Sequence, residues 1–379
     1  MLIYALKMMV GDRAKFLGIL VGLTFATFIM TQQAGIFTGL MCRTFGFITD
    51  TSQNNIWVVD ERVQQVDDIK PMKSTKLFQV RSIEGVEWAV PMFKGILRAR
   101  LPSGIFQNCN IIGVDDSTLI GGPPHIVKGT IEDLRDEDAV IVDVVGAEGK
   151  LATSKGPMRL GEVFEINDHR ARVMGFCRIT RTFASQPVIY TTYDRALSFA
   201  PSERNLLSFI LVKSQPGVDP QQLCRKIHYI TGLAAYTRAD FKKLTILYYL
   251  FNTGIPINFG IAVGLGFIIG AAIAGQTFYT FAHDNLRYFA TFKAMGATNS
   301  LLTKMVLFQA LMVATLGWGI GLGCTTLFGF TAGGTELSFT LPWWLFLASG
   351  AAIYLITLFS ALISILKIVR LEPSIVFAS

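Results

Sequence analysis

Four long charge-free stretches constrain this chain more than any other feature. Residues 16–42, 244–282, 305–332 and 341–366 contain no Asp, Glu, Lys or Arg. Each exceeds the roughly 20 apolar residues that a helix needs to cross a bilayer. A helix satisfies its own backbone N–H and C=O groups, as lipid demands. The rest of the chain has a different solvent. Residues 41–245 hold 26 of the 34 Lys+Arg and 23 of the 27 Asp+Glu, whereas residues 246–379 hold five bases and three acids. The expected fold is a polytopic α-helical membrane protein: four transmembrane helices, with a mixed α/β extracytoplasmic domain inserted between helices 1 and 2.

Bases in the short connections set the orientation. Lys7, Arg13 and Lys15 precede span one, Arg287 and Lys293 lie between spans two and three, and Lys367 and Arg370 follow span four. The 333–340 loop carries Glu336 and no base. Both termini and the 283–300 loop are therefore expected on the cytoplasmic side. The expected order is an amphipathic helix at 1–15, span one at 16–42, the insert at 43–245 and span two at 246–282. The 283–300 loop, span three at 301–332, the outer loop at 333–340, span four at 341–367 and a cytoplasmic tail at 368–379 follow. Span two is long, and its first part, through Asn252-Thr253-Gly254 and Pro256, reads as a helical lead-in.

Small residues crowd the spans. Gly260 and Gly264, then Gly266 and Gly270, are spaced to let helices approach closely, within one chain or across a dimer seam. No acid or base lies at mid-membrane, where ion-coupled carriers keep such groups. Gln32, Gln33, Gln276 and Gln309 read as interhelical hydrogen bonders.

The insert alternates short apolar runs with turn formers. Strands are expected at 56–59, 89–91, 111–114, 139–142, 163–166, 171–176, 188–190 and 208–212. Helices are expected at 75–83, 221–231 and from 238 into span two. A division into two lobes is expected near 115–130, at Gly121-Gly122-Pro123-Pro124. The run from Glu132 to Asp138 matches no calcium-loop spacing and reads as solvated. There is no Cys/His cluster for a metal, no Gly-x-Ser-x-Gly elbow and no P-loop. A Cys109–Cys177 disulfide is one possible pairing. No basic stripe suits nucleic acid.

The loop between spans two and three is the most informative segment. Asp284 suits a helix N-terminus, and Gly296 suits the left-handed residue that ends one. Leu286, Phe289 and Ala290 share one face; Tyr288, Phe292 and Met295 share a neighbouring one. One apolar face can dock on the membrane bundle and the other on a soluble partner.

Phe292-Lys293-Ala294-Met295-Gly296-Ala297-Thr298 resembles the corresponding loop of the MacB/FtsX superfamily of ABC-transporter permeases. Arg370-Leu371-Glu372-Pro373-Ser374 is similar to that family's tail motif, through Arg370, Glu372 and Pro373. Leu160–Ile166 followed by Val173-Met174-Gly175-Phe176 is similar to a repeat in its periplasmic domain. The compact insert looks most like the DevC-like branch. Arg287-Tyr288-Phe289 departs from the family's common acidic pair.

The resemblance implies a permease subunit of an exporter that binds no cofactor itself, with ATP and magnesium at a separate ABC ATPase subunit. That ATPase would dock on Asp284, Leu286, Arg287, Phe289, Phe292, Lys293, Met295 and Gly296. It further implies a bacterial inner (plasma) membrane, a second permease copy, a periplasmic adaptor and an outer-membrane duct. The alternative it leaves open is a non-transporting complex that transmits motion to a periplasmic enzyme.

Overall fold

The computed structural model describes residues 2–153, 156–201, 207–332 and 336–369. They form two compact units, residues 1–40 with 254–379, and residues 41–253.

The helical unit contains α1 (Leu2–Gly11) and α2 (Arg13–Thr44). The insert begins with α3 (Gly46–Asp50), β1 (Ile56–Val59), α4 (Thr75–Arg81), β2 (Val86–Arg100) and β3 (Phe106–Val114). It continues with β4 (His125–Lys128), β5 (Ala139–Asp143), α5 (Val144–Glu148), β6 (Val163–Ile166), β7 (His169–Arg178) and β8 (Val188–Thr192). It closes with α6 (Tyr193–Phe199), β9 (Phe209–Ser214), α7 (Pro220–Thr231), β10 (Ala234–Thr237) and α8 (Arg238–Asn252). The chain then returns to the helical unit through α9 (Ile255–Asp284), α10 (Leu286–Ala294), α11 (Asn299–Ala332) and α12 (Trp343–Val369).

Helices α2, α9, α11 and α12 are long and apolar enough to span a membrane. The second span starts later than the expected 246. Residues 246–252 are the end of α8 and belong to the insert. The helix breaks at Thr253 and Gly254, and Pro256 lies in the first turn of α9. Proline has no N–H to donate and disfavours a helical residue before it, so it begins a helix more readily than it continues one.

Small residues decide how the bundle packs. A Cβ on Gly270 would lie 2.6 Å from Ala26 Cβ, and one on Gly266 would lie 3.1 Å from Met30 Cγ. Gly317 and Gly321 of α11 press equally close to Leu23 and Thr27 of α2. Gln309 donates from Nε2 to the Ala5 carbonyl at 2.6 Å, which pins α1 to α11. This matches its reading as an interhelical hydrogen bonder.

Each expected strand of the insert appears. The expected lobe boundary does not. Strand β2 is shared by two substructures: Val86–Met92 pairs with β9, and Phe93–Arg100 pairs with β3. On one side, β10, β1, β9 and β2 form a sheet. Leu77 and Val80 of α4 and Leu223 and Ile227 of α7 pack on one of its faces. On the other side, β2, β3, β8, β5, β7 and β6 close into a six-stranded barrel, because β6 pairs with both β7 and β2. Alternation then places Leu97, Cys109, Ile111, Val140, Ile166 and Ile189 together in its interior. The 115–130 segment is no linker. Leu119 is buried beside Met92, and a Cβ on Gly121 would lie 2.4 Å from Met92 Cε. The apolar side chains flanking those glycines and prolines fasten the segment to the sheet.

All five cysteines are free. Cys109 lies in the barrel's interior cluster, while Cys177 lies in the cluster that covers its outside. Opposite faces of one β-layer keep the two sulfurs from pairing.

Candidate functional site

The site is α10 with the groups that hold it. Asn285 interrupts the helix after α9, its Nδ2 donating to the Phe281 carbonyl at 2.8 Å. Gly296, at φ +93°, ends the helix as expected. Ala297 N–H then reaches back to Phe292 O at 2.9 Å, which satisfies a carbonyl the helix end would otherwise leave free. The Thr298 hydroxyl accepts from Leu301 N–H at 3.3 Å, starting α11.

Helix α10 has two faces. Phe289 and Ala290 are fully buried, and Leu286 is half-buried beside them. Phe292 is half-buried against the bundle core, so it belongs more to the inner face than its sequence pairing with Tyr288 and Met295 suggests. Arg287, Tyr288, Thr291, Ala294 and Met295 are exposed, with Tyr288 at 61% and Met295 at 69%. At 100° per residue they form one continuous stripe.

Two expected docking residues are engaged inside the chain instead. Lys293 donates to Val369 O of α12 at 3.1 Å. A cation at a helix C-terminus favours the negative end of its dipole. Asp284 lies at the C-terminal end of α9, and its carboxylate binds Lys15 Nζ at 2.5 Å. Lys15 also binds Asp12 at 2.6 Å. The side-chain and backbone hydrogen bonds from Lys15 hold the Asp12 carboxyl below the usual carboxylate range. Sequence reading takes Lys15 only as a base that orients span one, because its partner Asp284 is 269 positions away.

The glycine pairs divide. Gly266 and Gly270 are buried against α2, whereas a Cβ on Gly260 or Gly264 would meet nothing within 4 Å. Around that open pair, Ile257, Ile261, Leu265 and Ile268 are all more than half exposed. The tail residues Arg370, Glu372 and Pro373 lie outside the described residues. No group of three or more His, Cys, Asp or Glu suited to a metal occurs among the described residues.

Residues 16–228 match the MacB-like periplasmic core domain, and residues 260–373 match the FtsX-like permease C-terminal domain. The chain belongs to the MacB/FtsX superfamily of ABC-transporter permeases. It is similar to an uncharacterized ABC transporter permease of Mycobacterium tuberculosis, 26% identical over 314 residues, covering 81% of this chain and 79% of that one. A second uncharacterized ABC transporter permease of the same organism is 24% identical over 311 residues, with the same coverage. Among solved structures, the periplasmic region of MacB from Actinobacillus actinomycetemcomitans covers 52% of this chain and 94% of its own, at 14% identity and a TM-score of 0.38. The extracellular domain of the noncanonic ABC-type transporter YknZ from Gram-positive bacteria covers 48% and 98%, at 12% identity and a TM-score of 0.33.

As a superfamily member, the chain is a multi-pass membrane permease of an ABC transporter, a type of subunit that works with an ATPase partner. The 260–373 match contains the whole of α10.

Proposed function

We propose that this permease passes ATP-driven motion from the cytoplasm to its insert, and so drives export of an amphiphilic or peptide-like cargo. The observation that carries the reading is the division of α10. Its inner face is fixed to the bundle by Phe289 and Ala290, while Tyr288 and Met295 stay exposed beside Arg287. Exposed aromatic, Met and Arg side chains are enriched where proteins dock. An ATPase subunit, carrying ATP and magnesium, seats on that stripe. The bases of the short loops support a cytoplasmic side for it and for both termini.

The spans favour a lever over a channel, since none carries a mid-membrane acid or base. Helix α9 runs from the root of α10 to Ile255, and the chain continues from there into α8 of the insert. A second permease copy fits the exposed α9 stripe around Gly260 and Gly264. A periplasmic adaptor and an outer-membrane duct would complete an export path. Control of a periplasmic enzyme by the same motion is the alternative. Co-purification with an adaptor favours the first; activation of a cell-wall hydrolase favours the second.

The docking test compares Tyr288→Asp and Met295→Asp with wild type in stimulation of the ATPase by the reconstituted permease. Either substitution should abolish most of the stimulation while the protein still folds and inserts. Full stimulation from both would refute the docking surface.

A further inference from the structure

We infer that Lys15 is a positioning residue for coupling: it clamps the first and second spans together at the root of α10, so that a push on α10 moves both. The inference rests on the docking proposed above and adds a residue that lies outside α10.

Three charges meet at one end of the helical unit. Lys15 Nζ lies 2.5 Å from the Asp284 carboxylate and 2.6 Å from that of Asp12. Asp284 is the last residue of α9, two positions before α10 begins. Asp12 lies between α1 and α2. The ammonium therefore joins the start of span one to the end of span two, next to the element that receives the push.

Beyond the clamp, the same two helices stay in contact along their length. A Cβ on Gly22 would lie 2.3 Å from Ile273 Cγ2. The contact continues through Ala26 with Gly270 and Met30 with Gly266. It reaches the rings of Phe37 and Phe259, whose centroids are 5.6 Å apart. Packing of small residues holds two helices close in lipid, but it resists sliding weakly, because apolar contacts have no direction. A charge-assisted hydrogen bond is directional. Placed where force enters, it fixes the register of the seam.

The clamp is not a folding requirement. The Lys15 side chain is 25% exposed and that of Asp284 48%. Partly exposed pairs contribute little to stability, whereas a bias of that size changes a coupled equilibrium about fivefold.

The test uses the full-length permease in lipid nanodiscs with its ATPase subunit and MgATP. Maximal stimulation is read separately from the permease concentration that gives half of it. Lys15→Glu should lower maximal stimulation about fivefold and shift the half-maximal concentration less than twofold. Lys15→Arg should retain the wild-type value. Lys15→Glu with Asp284→Lys restores an ion pair between the spans and should recover stimulation to within twofold of wild type. Full stimulation by Lys15→Glu, or a double variant no better than it, would overturn the clamp. A failure of the docking reading is distinguishable, since Tyr288→Asp and Met295→Asp would then keep full stimulation, whereas failure of the clamp leaves those two variants impaired and Lys15→Glu unimpaired.

Discussion

The seam between α2 and α9 can be tested with one methyl group placed at two glycines of the same helix. Gly270→Ala puts a Cβ 2.6 Å from Ala26 Cβ. Ordinary contact begins near 3.4 Å, so the helices must part by about 0.8 Å or the backbone must bend. The obstacle is a Cβ, which has no rotamer to yield. Overpacking of this kind costs about 1–3 kcal/mol. Better helix propensity returns up to about 1 kcal/mol, which leaves a net loss on the order of 1–2 kcal/mol. Gly264→Ala adds the same methyl where nothing within the chain lies within 4 Å, so in monomeric protein, isolated as such by size exclusion, it keeps only the propensity gain. The two variants should differ by about 2 kcal/mol, or about 4–8 °C at 2–4 °C per kcal/mol. Heating each purified variant in mild detergent, then measuring the folded fraction by size-exclusion fluorescence, reads the difference. Equal midpoints, or a lower midpoint for Gly264→Ala, would refute the seam.

Other outcomes follow from single contacts. Lys94 is 3% exposed and binds Asp67 at 2.5 Å; Asp67→Asn removes its counter-charge, leaving the ammonium the Val66 carbonyl at 3.3 Å and the Phe47 ring, and should lower stability by about 1–3 kcal/mol, less than for a fully buried pair because Asp67 is 39% exposed. Denaturant or thermal midpoints check it. Burial, opposed by N–H bonds from Val188 and Gly146, leaves the Asp143 carboxyl raised. A raised acid binds its proton more tightly folded than unfolded, so its stabilising contribution is complete at low pH. It is lost as pH rises from about 4 through the raised value. The midpoint of wild type relative to Asp143→Asn should therefore fall as pH rises. Burial pushes the Cys109 thiol up to about 12 and Cys177 up as well; peptide mapping after mild oxidation should find no link between them.

What was legible in the sequence is what local pattern determines. Charge-free runs marked the spans, and short apolar runs bounded by turn formers marked β1 and β6 to the residue. Gly296 marked the end of α10 because a left-handed C-terminal residue is a local requirement. Features set by distant partners were not legible. Barrel closure depends on β6 meeting β2, a pairing that places Ala99 opposite Ile166. Nothing near either residue announces it. Asp284 illustrates the same limit within the site. Its position just before a helix suggested a dipole partner and a docking contact, both local arguments. Lys15 lies beside it in space, 269 positions away in the chain, and that contact ties it to the start of span one. Phe292 moves inward for a related reason: its helical angle lies between the two faces, and the bundle core covers it. The residues left for a partner, Arg287, Tyr288, Thr291 and Met295, are those that stay exposed among the described residues. A docking surface is in this sense a remainder. Helical periodicity shows that α10 has more apolar surface than one face needs, and only the packed bundle shows which part of it stays uncovered.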